Sequence, residues 1–133
     1  MRDNITFIGG FMNNLNSVLI EGNITNDPIF RTISTGTPVC TFGIASHRCF
    51  KYNSEIEQEV SFFDIETWSK LAEACRDWGH KGRSVRVVGR LKQDRWNDSE
   101  GKRHAKVFII AEHVEFLKEY AKHANEEQPQ EMV

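Results

Sequence analysis

RSVRVVGRLKQDRWNDSEGKRHAKVFII, residues 83–110, has the pattern of two strands joined by a long hairpin. Ser84–Gln93 is rich in Val and Leu, and Ala105–Ile110 is rich in β-forming residues. Between them Trp96–Gly101 is mostly small and polar and closes on glycine, which is turn chemistry. Alternation places Val85, Val87 and Leu91 on one face and Arg86, Arg90 and Lys92 on the other; carried to the strand end, it adds Trp96 to the cationic face. From Lys81 to Lys106 nine Lys or Arg stand against Asp94, Asp98 and Glu100, a local balance of +6. Cations alone are the ordinary guard of a sheet edge against aggregation. An indole among them suits a flat, anionic polymer, because bases stack on the ring while phosphates meet the cations.

The remaining chain reads outward from this hairpin. Downstream, Ala111–Leu117 extends the last strand, and the apolar run Phe108, Ile109, Ile110 occupies both of its faces, which predicts burial by a partner as well as by the core. Upstream, Leu71, Ala74, Cys75 and Trp78 follow the helical period, predicting an amphipathic helix opened by Ser69, closed by Gly79 or Gly82, and packing Trp78 inside. Val60–Trp68 is a strand with Phe63 and Ile65 toward the core and Phe62 and Trp68 on the other face. Residues 50–59 have the polarity of a mobile flap. In Val39–Arg48, Phe42 and Ile44 point one way while Gly43 and Ala45 keep the other side slim. Ile29–Ser34 is a short segment, and Leu15–Ile24 is the first strand, interrupted at Gly22 where it must bend. This order predicts an all-β protein with one helix: a five-stranded Greek-key barrel with the helix between strands 3 and 4, the OB-fold.

The length of 133 residues suits one domain, expected over 15–117, with an N-terminal arm at 1–14 and a short acidic, flexible tail at 118–133. Net charge is -2, and residues 15–117 hold fourteen cations and fourteen anions, so the hairpin is a local positive patch on a neutral body. Cys40, Cys49 and Cys75 are odd in number and form no CxxC, as expected of reduced thiols in a cytoplasmic protein. His47, Cys49, Cys75 and His80 lack the spacing of metal ligands. There is no secretory signal and no apolar run able to span a membrane. With no nucleophile–base grouping and no phosphate-cradling glycine loop, the expectation is a binding protein with neither catalytic residues nor cofactor.

The motifs LNSVLIEGNI (15–24), Asp27-Pro28, WSKLAE (68–73), Gly89-Arg90-Leu91 and Trp96 resemble, in order, those of bacterial single-stranded DNA-binding proteins, over about residues 12–117. The resemblance implies a homotetrameric OB-fold that coats single-stranded DNA in replication, recombination and repair, in the cytoplasm at the nucleoid. It places stacking aromatics at Phe50, Phe62, Trp68 and Trp96, with Arg31, Arg48, Lys51, Lys70, Arg86, Arg90, Lys92, Arg95, Lys102 and Arg103 toward the phosphates. Two features depart from the family: Phe at 50 and 62 where Trp is frequent, and Asp64 and Glu66 on the face of Phe62 and Trp68, where they repel phosphate unless Arg90 or Lys92 pairs with them. The other function open to such a barrel is RNA binding or a primosomal accessory role. Family members resemble one another in a long linker with an acidic, aromatic-ended tip that partners capture; here Glu126, Glu127 and Glu131 precede Met132-Val133, so tail-mediated recruitment is expected to be weak.

Overall fold

Alternating apolar residues build six strands, β1 (Val18–Ile24), β2 (Ile29–Thr32), β3 (Pro38–Tyr52), β4 (Glu55–Trp68), β5 (Ser84–Asn97) and β6 (Arg103–Phe116), with one helix, α1 (Ser69–Trp78), between β4 and β5. The computed structural model describes residues 12–119, so the arm expected over 1–14 and the tail expected over 118–133 lie almost wholly outside it. No helix among the described residues is long and apolar enough to cross a membrane.

The strands pair in the order β1-β5-β6-β4-β3, and β3 returns to β1 through Asn23↔Ala45 and Ile24↔Ile44, closing a barrel. All pairs are antiparallel except β4 with β6, which run parallel at Ile65↔Ile109 and Glu66↔Ile110. β2 adds a short edge to β3. Counting barrel strands alone, α1 stands between the third and the fourth, as the OB reading expects. Ile24, Phe42, Ile44, Ile65, Val87 and Ile109 fill the interior, and α1 lays Ala72 and Cys75 onto it.

Pairing between β5 and β6 steps from Val88↔His113 to Gly89↔Ala111, leaving Glu112 as an extra residue in β6. The bulge exchanges the faces of β6: Ile109 and Ala111 point inward before it, Val114 and Phe116 after it. Gly89 sits where a Cβ would run into the carbonyl oxygen of Ile110, so the two backbones cross closely there.

Five expectations change. Phe63, expected toward the core beside Ile65, is 37% exposed, because it lies beyond the Ile65–Glu66 stretch of β4 that β6 covers. Residues 50–59 are not a flap: β3 and β4 stay in one register from Val39↔Trp68 to Tyr52↔Glu55 and turn on Asn53 and Ser54, both left-handed at φ 52° and 68°. Their polarity reflects a two-stranded ribbon with both faces in water. Trp78 is 62% exposed, not packed inside, because the ten-residue helix buries only a narrow stripe at Ala72 and Cys75. Ser69 makes no side-chain cap; it joins strand to helix in a left-handed conformation, φ 58°, while the Gly79 N–H closes the helix on the Cys75 carbonyl at 2.9 Å. Finally, Phe108 and Ile110 are each only 8% exposed within one chain, so the second face of β6 needs no partner to cover it.

Candidate nucleic-acid interface

Directly opposite residues of neighbouring strands share a face. Ala45↔Phe62, Gly43↔Asp64, Thr41↔Glu66 and Val39↔Trp68 therefore lie on the face opposite Phe42↔Ile65 and Ile44↔Phe63. Glu66↔Ile110 carries this outer face onto β6, and Ile110↔Arg90, Phe108↔Lys92, Lys106↔Asp94 and His104↔Trp96 carry it along β5. Thr41, Gly43 and Ala45 are small, so the β3 portion stays low. Above it rise Phe62 and Trp68, 69% and 37% exposed, with Trp96, 48% exposed, at the far end. Arg31↔Val39 adds a cation on the β2 side of Trp68.

Every acid on this face has a partner. The Lys106 ammonium lies 3.0 Å from Asp64, Lys92 lies 2.9 Å from Asp94, and Arg90 lies 3.8 Å from the bulged Glu112. The Trp68 indole donates to Glu66 at 2.7 Å. Asp64 and Glu66 are thus held by Lys106 and Trp68, not by the Arg90 or Lys92 expected to pair with them. These ion pairs stand in solvent, where each adds little to stability and a phosphate can compete for the cation.

The β5–β6 turn is organised by Asp98. Its Oδ1 accepts the N–H groups of Glu100 at 2.9 Å and Lys102 at 2.8 Å, and Gly101 takes the left-handed conformation at φ 81°. Its Oδ2 meets His104 Nε2 at 2.9 Å. That bond first, then the Lys102 N–H, holds the Asp98 carboxyl below the usual carboxylate range. The His104 ring in turn stacks on Trp96, centroids 5.5 Å apart and planes 17° apart.

Over residues 15–117 the chain matches the family described as the single-strand binding protein family. It belongs to that family. It is 39% identical over 119 residues to the single-stranded DNA-binding protein 2 of Chlorobaculum tepidum, covering 88% of this chain and 80% of that one. With the single-stranded DNA-binding protein of Aquifex aeolicus it shares 43% identity over 107 residues, covering 77% of this chain and 70% of the other. A chain of the structure described as Plasmodium falciparum SSB complex with ssDNA superimposes with a TM-score of 0.73, covering 81% of this chain and 99% of that one. At 21% identity, that likeness is one of fold.

In this member of the single-strand binding protein family, the residues singled out from sequence divide between surfaces. Arg31, Phe62, Trp68, Arg90, Lys92 and Trp96 share the outer face. Lys51, opposite Ile56, continues the Phe62 side of the β3–β4 ribbon. Phe50, opposite Glu57, falls on the reverse of that ribbon by register, with the Arg48 guanidinium 4.6 Å over its ring. Arg95 and Arg103 fall on the reverse of the β5–β6 ribbon from Trp96, Lys102 lies in its turn, and Lys70 is on the first turn of α1. Arg86 stands apart, beyond the bulge. Glu21 and, more weakly, Glu115 hold it there and keep its guanidinium above its ordinary pKa. Lys106, His104 and Asp98 were missed. Lys106 and His104 share the even positions of Phe108 and Ile110, a signal visible in the sequence, whereas the role of Asp98 depends on the turn closing around it.

Proposed function

We propose that this chain binds single-stranded DNA largely without regard to sequence, as a non-enzymatic coat in replication, recombination and repair. Bases stack on Phe62, Trp68 and Trp96, with Phe50 meeting the strand where it passes the β3–β4 ribbon. Phosphates displace the exposed carboxylates from Arg90, Lys92 and Lys106. The observation that carries this reading is the outer face itself, where three exposed aromatics and a row of cations lie on one continuous sheet surface.

The first strand supports assembly. Val18–Gly22 pair with β5 on one side, while backbone pairing with β3 is confined to Asn23 and Ile24, so an edge of backbone N–H and C=O groups is left beside an exposed Leu19. A second copy can add there, and the proposed assembly is a homotetramer acting in the cytoplasm at the nucleoid. Residues 118–133 hold four glutamates and neither Phe nor Trp, so recruitment of partner proteins through them is proposed to be weak.

The test is a titration with poly-dT at two salt concentrations, followed by tryptophan emission. Saturable quenching that weakens with salt is expected, and Trp78→Phe should retain most of it because Trp78 lies on α1, outside this face. Alanine at Phe62, Trp68 or Trp96 should each cost roughly 1–3 kcal/mol of binding. Absence of saturable, salt-sensitive quenching would overturn the reading, and tighter binding of an RNA oligomer of equal length would redirect it to RNA.

A further inference from the structure

We infer that His104 forms the second layer of the stacking site at the β5–β6 tip and makes the grip of that site on nucleic acid dependent on pH. The inference rests on the DNA-binding reading for its ligand, a stacked nucleobase with its phosphate, but the residue arrangement stands independently of it.

Register sets the pair. Trp96 and His104 are direct partners across the ribbon, and their rings lie nearly parallel at 5.5 Å and 17°. With one ring face against imidazole, Trp96 is still 48% exposed, so its opposite face is open to a base. A base stacking there completes a three-layer column of base, indole and imidazole. The imidazole is fixed in turn, because Asp98 holds its Nε2 at 2.9 Å while the same carboxylate accepts two turn N–H groups. His104 is a positioning residue: it acts on the base through Trp96.

The tautomer follows from chemistry. An ionised carboxylate only accepts, so the neutral ring carries its proton on Nε2 and leaves Nδ1 as a bare acceptor. Protonation adds an N–H at Nδ1 and a full positive charge against the indole face, a cation–π arrangement beside the path of the phosphates. The charged groups around the ring are of both signs. Asp98 favours the imidazolium. Arg95 and Arg103, which border the hollow from the reverse side of the ribbon, oppose it. The next row on the face is the Asp94–Lys106 pair, in which Lys106 is already engaged by Asp64. The depressed Asp98 carboxyl stays an ionised acceptor as the solution is acidified, so geometry and charge agree on a kept bond.

Two measurements on the full chain test this. In a protein carrying Trp68→Phe and Trp78→Phe, emission reports Trp96 alone. It should change between pH 8 and pH 5.5, and adding His104→Phe should abolish that change. In the second, affinity for a dT oligomer is measured at pH 8 and pH 5.5. Lowering the pH should tighten binding about threefold to tenfold more in the native protein than in His104→Phe, as expected for one positive charge added behind the stacking ring. The readout is the ratio between the two pH values, so the other histidines cancel. Equal ratios in both proteins, or an emission titration that survives His104→Phe, would overturn the proposal. Failure of the native protein to bind dT at either pH would instead overturn the DNA reading and, with it, the ligand assigned here.

Discussion

Arg90, Lys92 and Lys106 on the outer face are each shared between a carboxylate and the phosphate they would meet, and that competition can be measured one residue at a time. Asp64→Asn frees Lys106, so affinity for poly-dT should rise and the log–log salt slope should steepen by up to about 0.7, while Lys92→Ala should make it shallower by a similar amount. Titrations at three salt concentrations measure both; an unchanged slope in Asp64→Asn would show that Lys106 does not meet the backbone. The cysteines give a second prediction at this scale. Burial pushes the Cys75 thiol up to about 12 and raises Cys40 as well, whereas Cys49 is exposed. Iodoacetamide at pH 8 should therefore label Cys49 alone until the protein unfolds. The sign of the accompanying pH effect follows from linkage. Thiols in the unfolded chain ionise near 9 while Cys75 in the fold stays protonated to about 12, so stability is full below 9 and falls as pH rises toward 12. Thermal melts at pH 8 and pH 10 should show a lower Tm at the higher pH, and rapid labelling of Cys75 in the native state would contradict the burial argument.

Among the elements, the two long ribbons carry the function, and their turns and crossings are where single changes should tell most. Ser54 holds φ 68° in the two-residue turn of the β3–β4 ribbon, a conformation that glycine adopts freely. Ser54→Gly should stabilise the protein by about 1 kcal/mol, read as a higher midpoint in urea. A flap with no fixed turn would gain nothing from it. Gly89→Ala is the opposite case: the new methyl meets the Ile110 carbonyl and the Ala111 backbone at the bulge, and the loss should be about 1–3 kcal/mol by the same assay. A neutral result would mean that β5 and β6 can part at the bulge without cost. Both changes lie on segments whose strand character alternation made legible, but alternation does not extend to a turn of two left-handed residues or to a carbonyl from the neighbouring strand.

At the scale of the molecule, the open edge of β1 predicts assembly: light scattering at micromolar concentration should give about four times the 15.4 kDa chain mass. A monomer at that concentration would refute it, and Leu19→Pro, which removes an edge donor, should lower the mass. The order of strands, the place of the helix and the inward set of Ile24, Phe42, Ile44, Ile65, Val85 and Val87 were determined by the sequence alone, because a two-residue period and helix-spaced apolar residues are local properties that each segment expresses wherever it packs. The outward aromatics Phe62, Trp68 and Trp96 were legible for the same reason. Which of those side chains meet one another was decided only by the tertiary structure. Asp64 found Lys106, forty-two residues away, and not Arg90; Phe50 fell on the reverse of its ribbon; His104 came to rest on Trp96; and Trp78 was left in water. Each of these depends on the register between strands, on one extra residue at Glu112, or on how much of a short helix the barrel covers. Those quantities are set when the barrel closes, and no single segment encodes them.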